Sequence, residues 1–259
     1  AGDTGSVPIG LGTFASRQAV TAGSSVHIAA NEIRQKALNV GAHLLEAAES
    51  DLELVGGVVR VKGVPELSVS LGEIAHAVAG TPGFALPRGI KPGLDASSNF
   101  MPKGLAYCSG AQAAEVEVDI ETGNVTILNY VAVQDSGRLI NPLIVDGQVA
   151  GGITHGIGNA LFERLYHDET GQPLTTTLAE YLLPTAPHIP SLNIKYSETL
   201  CTKNPIGVKG IGEGGTVPVP AVIISAVENA LAPFGVVIHQ TPIDPSKIVD
   251  LVRQSVPIS

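Results

Sequence analysis

The 259-residue sequence has no tryptophan, a single methionine, two cysteines and aromatic residues at only 4% of its positions. Cys108 and Cys201 are too few for a disulfide framework or for an iron–sulfur cluster, which takes about four thiolates. They read as small buried hydrophobes. Positive charge is also scarce: 15 Lys and Arg stand against 24 Asp and Glu, for a net charge of −9. With no basic cluster, the chain has no surface for gripping nucleic acid or an anionic membrane. Long apolar runs are missing too. Mean hydropathy is +0.27, yet no uninterrupted stretch reaches the roughly 18 residues that suggest a membrane helix, so a soluble chain without a membrane span is expected. What remains, 44% hydrophobic and 15% charged, is the composition of a packed protein rather than a disordered one. No signal peptide is recognisable, and the expected location is the cytoplasm. The sequence opens without Met at Ala1-Gly2-Asp3-Thr4, inside what reads as a functional loop, so one piece of a longer polypeptide is expected.

The elements that the pattern does supply are mixed. A helix is expected over Val26 to Ala48, where Ile28, Ala29, Ile33, Ala37, Val40, Leu44, Leu45 and Ala48 recur at the three-to-four spacing of one buried face. Short strands follow at Leu52 to Leu54 and Val58 to Val61 around Gly56-Gly57, then a segment Leu67 to Ala79 in which Ser70 caps a short helix from Leu71. Residues 80–105 carry Pro82, Pro87, Pro92 and Pro102 and read as an irregular connection between two lobes. The expected division is 1–90 and 91–259. In the second lobe, Gln112 to Ile120 alternates Ala114, Val116, Val118 and Ile120 against Glu115, Glu117 and Asp119. Through Thr122-Gly123-Asn124 it forms a hairpin with Val125 to Gln134, one face wet. Helices are expected at Asp146 to Phe162, at Pro218 to Leu231 and at Pro245 to Arg253 with Asp244 as N-cap. The second of these has so little charge that both its faces should be covered. Without regular strand–helix alternation, the fold class is α+β, a two-lobed arrangement of mixed sheets and packed helices.

Three segments combine glycine with small hydroxyl residues, the composition that lets backbone amides approach an anionic ligand. They are Gly10-Leu11-Gly12-Thr13-Phe14-Ala15-Ser16-Arg17-Gln18, Asp146 to Gly158, and Asn204 to Thr216. In the third, Gly210-x-Gly212-x-x-Gly215 satisfies the dinucleotide pattern, but Lys203-Asn204-Pro205 precedes it where a buried strand should. A free-standing nucleotide-binding module is thus a lesser reading. Glu213 stands out among Gly210, Gly212, Gly214 and Gly215. A carboxylate there can be held against a bulky ligand to take a proton, or it is a solvated loop residue near a helix N-terminus that favours its charge. His43 and His155 fall on helical segments and read as core histidines.

The stretch Gly207-Val208-Lys209-Gly210-Ile211-Gly212-Glu213-Gly214-Gly215, with Pro220-Ala221 and Ala226-Val227-Glu228-Asn229-Ala230, resembles the C-terminal signature of the molybdenum hydroxylases, the xanthine oxidase family. The likeness is to molybdopterin-binding large subunits of the aerobic carbon-monoxide-dehydrogenase and aldehyde-oxidoreductase type. Gly2-Asp3-Thr4 with Gly10 to Gln18, and Gly137-Arg138-Leu139-Ile140-Asn141-Pro142 with Gly147-Gln148-Val149 and Gly151-Gly152, agree in order along nearly the whole chain.

The resemblance implies a molybdenum centre held by a molybdopterin, in bacteria often a cytosine dinucleotide. It also implies hydroxylation of an aldehyde or N-heteroaromatic carbon with oxygen from water. Glu213 would then be the general base. Ala15, Ser16, Arg17 and Gln18 would line the cofactor in one loop and Gln148, Gly151 and Gly152 in another, and Gly212 would contact it beside the base. Arg17 is left between pairing a phosphate and bracing a carboxylate. No side chain of this chain would ligate the metal. The resemblance further implies partners: the remaining part of the molybdopterin subunit, an iron–sulfur subunit carrying [2Fe-2S], a FAD subunit and a small-molecule substrate. Gly214-Gly215 differs from the proline-containing version of animal purine oxidases, which points away from xanthine and leaves the substrate open. A non-catalytic scaffold of the same complex is the alternative; both the glutamate and the glycines that it could lose are present.

Overall fold

A computed structural model describes residues 3–5, 10, 12–80 and 85–255. Gly2 and Leu11 of the N-terminal motifs, and Pro82 of the expected connection, lie outside those residues. The chain divides into two compact units, Thr21–Pro102 and Ala1–Val20 with Lys103–Ser259.

The smaller unit pairs α1 (Ser24–Leu44) and α2 (Leu71–Val78) with an antiparallel meander of β1 (Leu52–Val55), β2 (Val58–Val61) and β3 (Val64–Ser70). Gly56 and Gly57 both take positive φ, 61° and 83°, which is what a two-residue hairpin connection demands. α1 presses so closely on β2 that a Cβ at Gly41 would lie 2.6 Å from a Val59 methyl. The core gathers Ala37, Leu38, Val40, Leu52, Val59, Ile74 and Val78. Only the C-terminal half of α1 joins it. Ile28 stays exposed, a correction to the single buried face expected along the whole helix. Glu46 at φ 52° ends the helix without a glycine. α2 begins with the expected cap: Ser70 Oγ accepts from the Glu73 N–H while the Glu73 carboxylate accepts from the Ser70 N–H.

Residues 85–102 are no free connection. Leu86, Ile90 and Leu94 pack on this core, Lys36 Nζ donates to the Gly93 carbonyl, and the Phe100 N–H donates to Ser25 Oγ at 3.0 Å. The compact unit therefore includes these residues up to Pro102.

The larger unit is built on β4 (Ser109–Val118), β5 (Val125–Asp135) and β6 (Leu192–Ser197). β4 and β5 form the expected hairpin, with a bulge between Glu115 and Val116, and β6 adds in parallel along Tyr130 to Asp135. Ile127, Tyr130 and Ala132 of β5 pack with α3 (Pro142–Leu161), α4 (Val219–Ala230) and α5 (Pro245–Ser255) in one core. α3 starts four residues before its expected start because Asn141 caps the Ile144 N–H and Pro142 occupies the first turn. Gly156 lets α3 and α4 cross closely, as a Cβ there would fall 2.4 Å from Val219 Cβ. Within this unit α4 buries Val219, Ile223 and Val227 but leaves Ala221 and Ser225 exposed, so its low charge does not mean cover on both faces. Nor is the outer face of the hairpin wholly polar: Leu128, Val131 and Val133 are exposed on it.

Candidate functional site

The segment that carries Glu213 leaves β6 without secondary structure and is fixed before it reaches the glutamate. Buried Asn204 clamps Val208 in both directions, Nδ2 donating to its carbonyl at 2.8 Å and Oδ1 accepting its N–H at 3.1 Å. The Lys209 N–H donates to the Ser136 carbonyl at 2.7 Å, and Lys209 Nζ pairs with Asp135 Oδ2 at 2.8 Å at the end of β5.

The glycines that follow are required by neighbouring protein. A Cβ on Gly210 would lie 2.5 Å from the Ser16 carbonyl oxygen, one on Gly214 2.9 Å from Gln134 Nε2, and one on Gly215 2.7 Å from the Val149 carbonyl oxygen. Gly152 faces the same loop from α3, its Cβ position 3.0 Å from Gly215. The loop is thus wedged between β5, α3 and the turn at residues 14–17, which presents Glu213 at a fixed point. Gln148 Nε2 donates to the Gly212 carbonyl at 2.8 Å. Gln112 Nε2 donates to the Gly215 carbonyl at 3.2 Å while its Oε1 accepts the Tyr130 hydroxyl at 2.6 Å.

Glu213 is exposed on this chain and lines a cavity of about 450 Å³ together with Ala15, Ser16, Cys108, Ser109, Gln112 and Gln134. Ser16 Oγ donates to Glu213 Oε2 at 2.8 Å and accepts the Glu213 N–H at 3.0 Å. Ala15 and Ser16 both have positive φ, 51° and 52°, and their own N–H groups meet no acceptor among the described residues. Burial pushes the Cys108 thiol pKa up, so it is a neutral wall at physiological pH.

Of the residues singled out from sequence, Ala15, Ser16, Gly212, Glu213, Gln148 and Gly152 are brought together. Arg17 lays its guanidinium over the Phe14 ring, 3.7 Å from the centroid, and Gln18 is exposed. Gly151 points away from the loop, with nothing within 4 Å of its Cβ position. His43 and His155 are exposed, a correction to the core reading, because each sits on the solvent side of its helix. Cys108 and Cys201 are free and half-buried. The Gly210-x-Gly212-x-x-Gly215 pattern follows β6 only after twelve irregular residues, and Ser16 and Val149 crowd the faces that a phosphate would need. Among the described residues no three His, Cys, Asp or Glu side chains group as a metal site. No described helix is long and apolar enough to cross a membrane.

Sequence reasoning missed Gln112, Gln134, Asn204 and the Asp135–Lys209 pair. Gln134 did carry a signal, a lone amide in the inward row of β5 and 2% exposed. A second cavity, about 300 Å³ and lined by Phe162, Arg164, Tyr166 and His188, contains none of the expected site residues.

Comparison with known proteins identifies the family. Residues 1–190 match the molybdopterin cofactor-binding domain. The chain is 40% identical over 240 residues to the nicotine 6-hydroxylase large subunit of Paenarthrobacter nicotinovorans, covering 93% of this chain and 29% of that protein. It is 36% identical over 231 residues to the carbon monoxide dehydrogenase large chain of Afipia carboxidovorans, covering 89% and 28%. The solved structure of quinoline 2-oxidoreductase from Pseudomonas putida 86 superposes with a TM-score of 0.86 at 38% identity, over 95% of this chain and 31% of that one. The chain therefore spans less than a third of the length of these relatives.

Proposed function

The chain belongs to the molybdopterin cofactor-binding domain family of the molybdenum hydroxylases, and from that premise we propose that it forms the base-bearing part of such an enzyme's large subunit, with Glu213 as general base. The observation that carries this reading is a carboxylate fixed on the wall of a cavity by Ser16, on a loop that Gln148 and Gln112 hold through its carbonyls and whose glycines pack against neighbouring backbone.

The residues fit the expected cofactor. Two adjacent N–H groups beside the cavity, at Ala15 and Ser16, meet no acceptor among the described residues, and on α3 nothing lies within 4 Å of the Cβ positions of Gly147 and Gly151. The open N–H pair suits a polar, phosphorylated ligand, and the bare glycines let it approach α3 closely. When bound, the molybdenum–pterin group supplies the two-electron oxidation and activates the water-derived oxygen. The cofactor is read as the cytosine dinucleotide form, contacted by Ala15, Ser16, Arg17, Gln18, Gln148, Gly151, Gly152 and Gly212.

The role of this chain is the proton. Glu213 Oε2 is anchored by Ser16, and Oε1, which has no hydrogen-bond partner among the described residues, accepts the proton from the attacking oxygen. The substrate class is an N-heteroaromatic ring carbon, supported by the nicotine and quinoline enzymes among the relatives. An aldehyde carbon stands second. Electrons leave through partner subunits carrying [2Fe-2S] and FAD, in a cytoplasmic complex completed by the rest of the large subunit.

General-base catalysis contributes about 10²–10⁴-fold, so Glu213→Gln in the assembled enzyme should lower turnover of N-heteroaromatic substrates by that factor at unchanged molybdenum content. Normal turnover by that variant would remove the assignment.

A further inference from the structure

The family resemblance implies that Ser16 lines the cofactor, yet its side chain is engaged with Glu213. A serine hydroxyl has one proton to give and two lone pairs. Here the proton goes to Glu213 Oε2 at 2.8 Å and one lone pair receives the Glu213 N–H at 3.0 Å. One hydroxyl thus fixes both the backbone and the side chain of the same residue, 197 positions away in sequence.

The surroundings are arranged for this contact. Ser16 holds φ at 52°, next to Ala15 at 51°, a left-handed pair that residues other than glycine adopt rarely. On the opposing loop both positions that would collide with Ser16 are glycine: a Cβ on Gly210 would come within 2.7 Å of Ser16 Cβ, and one on Gly212 within 3.2 Å of Ser16 Oγ. Gln148 holds the Gly212 carbonyl from the α3 side at 2.8 Å.

We propose that Ser16 is the positioning residue for Glu213, anchoring one carboxylate oxygen and leaving the other aimed for proton transfer. The inference rests on the base reading of Glu213 given above. It assigns to the Ser16 side chain a task separate from any contact its backbone makes with the cofactor. Positioning of this kind acts on the reacting geometry, so its loss falls on kcat more than on KM.

The test uses the assembled holoenzyme with Ser16→Ala, Ser16→Gly and Glu213→Gln measured side by side. A hydrogen bond to a charged group is lost, so Ser16→Ala should lower kcat about ten- to a hundredfold, with KM changed by less than about twofold. Molybdenum per complex should stay at the wild-type level, and a crystal structure of the variant should show the Glu213 carboxylate turned from its wild-type rotamer. Ser16→Gly accepts the left-handed backbone freely and should lose as much as Ser16→Ala, which separates the hydroxyl from the turn.

Wild-type kcat in Ser16→Ala alongside an inactive Glu213→Gln would overturn the positioning role and leave the base reading standing. So would a kcat that falls only in proportion to molybdenum content. Full activity in Glu213→Gln would remove both.

Discussion

Lys209 and Asp135 form an ion pair at 2.8 Å with 13% and 14% of their side chains exposed, and this pair ties the segment bearing Glu213 to the end of β5. Burial alone would push the Asp135 carboxyl up. The Lys209 ammonium and the N–H groups of Gly137 and Thr199 outweigh it and bring the pKa down from 3.8 to about 2. A carboxyl that is more acidic folded than unfolded adds stability that is complete above about pH 4 and is lost as pH falls toward 2. The contribution is about 2 kcal/mol. The stability gap between wild type and Asp135→Asn in urea unfolding should therefore narrow from pH 6 to pH 2.5. A gap that stays constant across that range would contradict the pairing.

Gly156 and Gly151 lie on the same helix and should respond oppositely to alanine. At Gly156 the added methyl meets Val219 Cβ at 2.4 Å, and such overpacking costs about 1–3 kcal/mol, so calorimetry of the subunit should show a lower Tm. At Gly151 nothing lies within 4 Å, and the helix gains about 0.5–1 kcal/mol. Gly151→Ala should raise the Tm of the cofactor-free protein while lowering its molybdenum uptake.

Tyr130, 1% exposed, reaches the base loop through Gln112. Tyr130→Phe leaves the Gln112 carbonyl oxygen without its donor, at a cost of about 1–2 kcal/mol. Amides of residues 210–216 should then exchange hydrogen faster in the variant, while those of α5 should not change.

Ser70→Ala removes one half of the reciprocal cap on α2 and should destabilise that helix by about 1 kcal/mol. Hydrogen exchange at Ile74 and Ala75 reads this directly.

Local patterns were legible where a single element carries its own signal. The β4–β5 alternation, the Ser70 cap and the glycine turn at 56–57 rest on neighbours in sequence, and each is present. β3 is not visible as a strand because Pro65 and Glu66 put Val64 out of phase with Leu67 and Val69, and most of it is exposed. β6 does alternate, Leu192, Ile194 and Tyr196 inward, but a parallel partner some sixty residues earlier leaves no local trace. The site divides the same way. Glu213 was conspicuous as an acid among glycines, whereas the hydroxyl that holds it is 197 residues distant. Those glycines looked like a ligand cradle; four of them instead make room for Ser16, Gln134 and Val149.

Among the described residues the sheet of the larger unit ends on β4, ten residues paired on one side only and containing no proline, beside a bare row of Leu128, Val131 and Val133. An unpaired rim of that length is a template for a foreign strand. Prepared by itself, the chain should therefore be prone to sticking rim to rim, and a charged residue introduced at Ala111 or Ala113 should keep it dispersed.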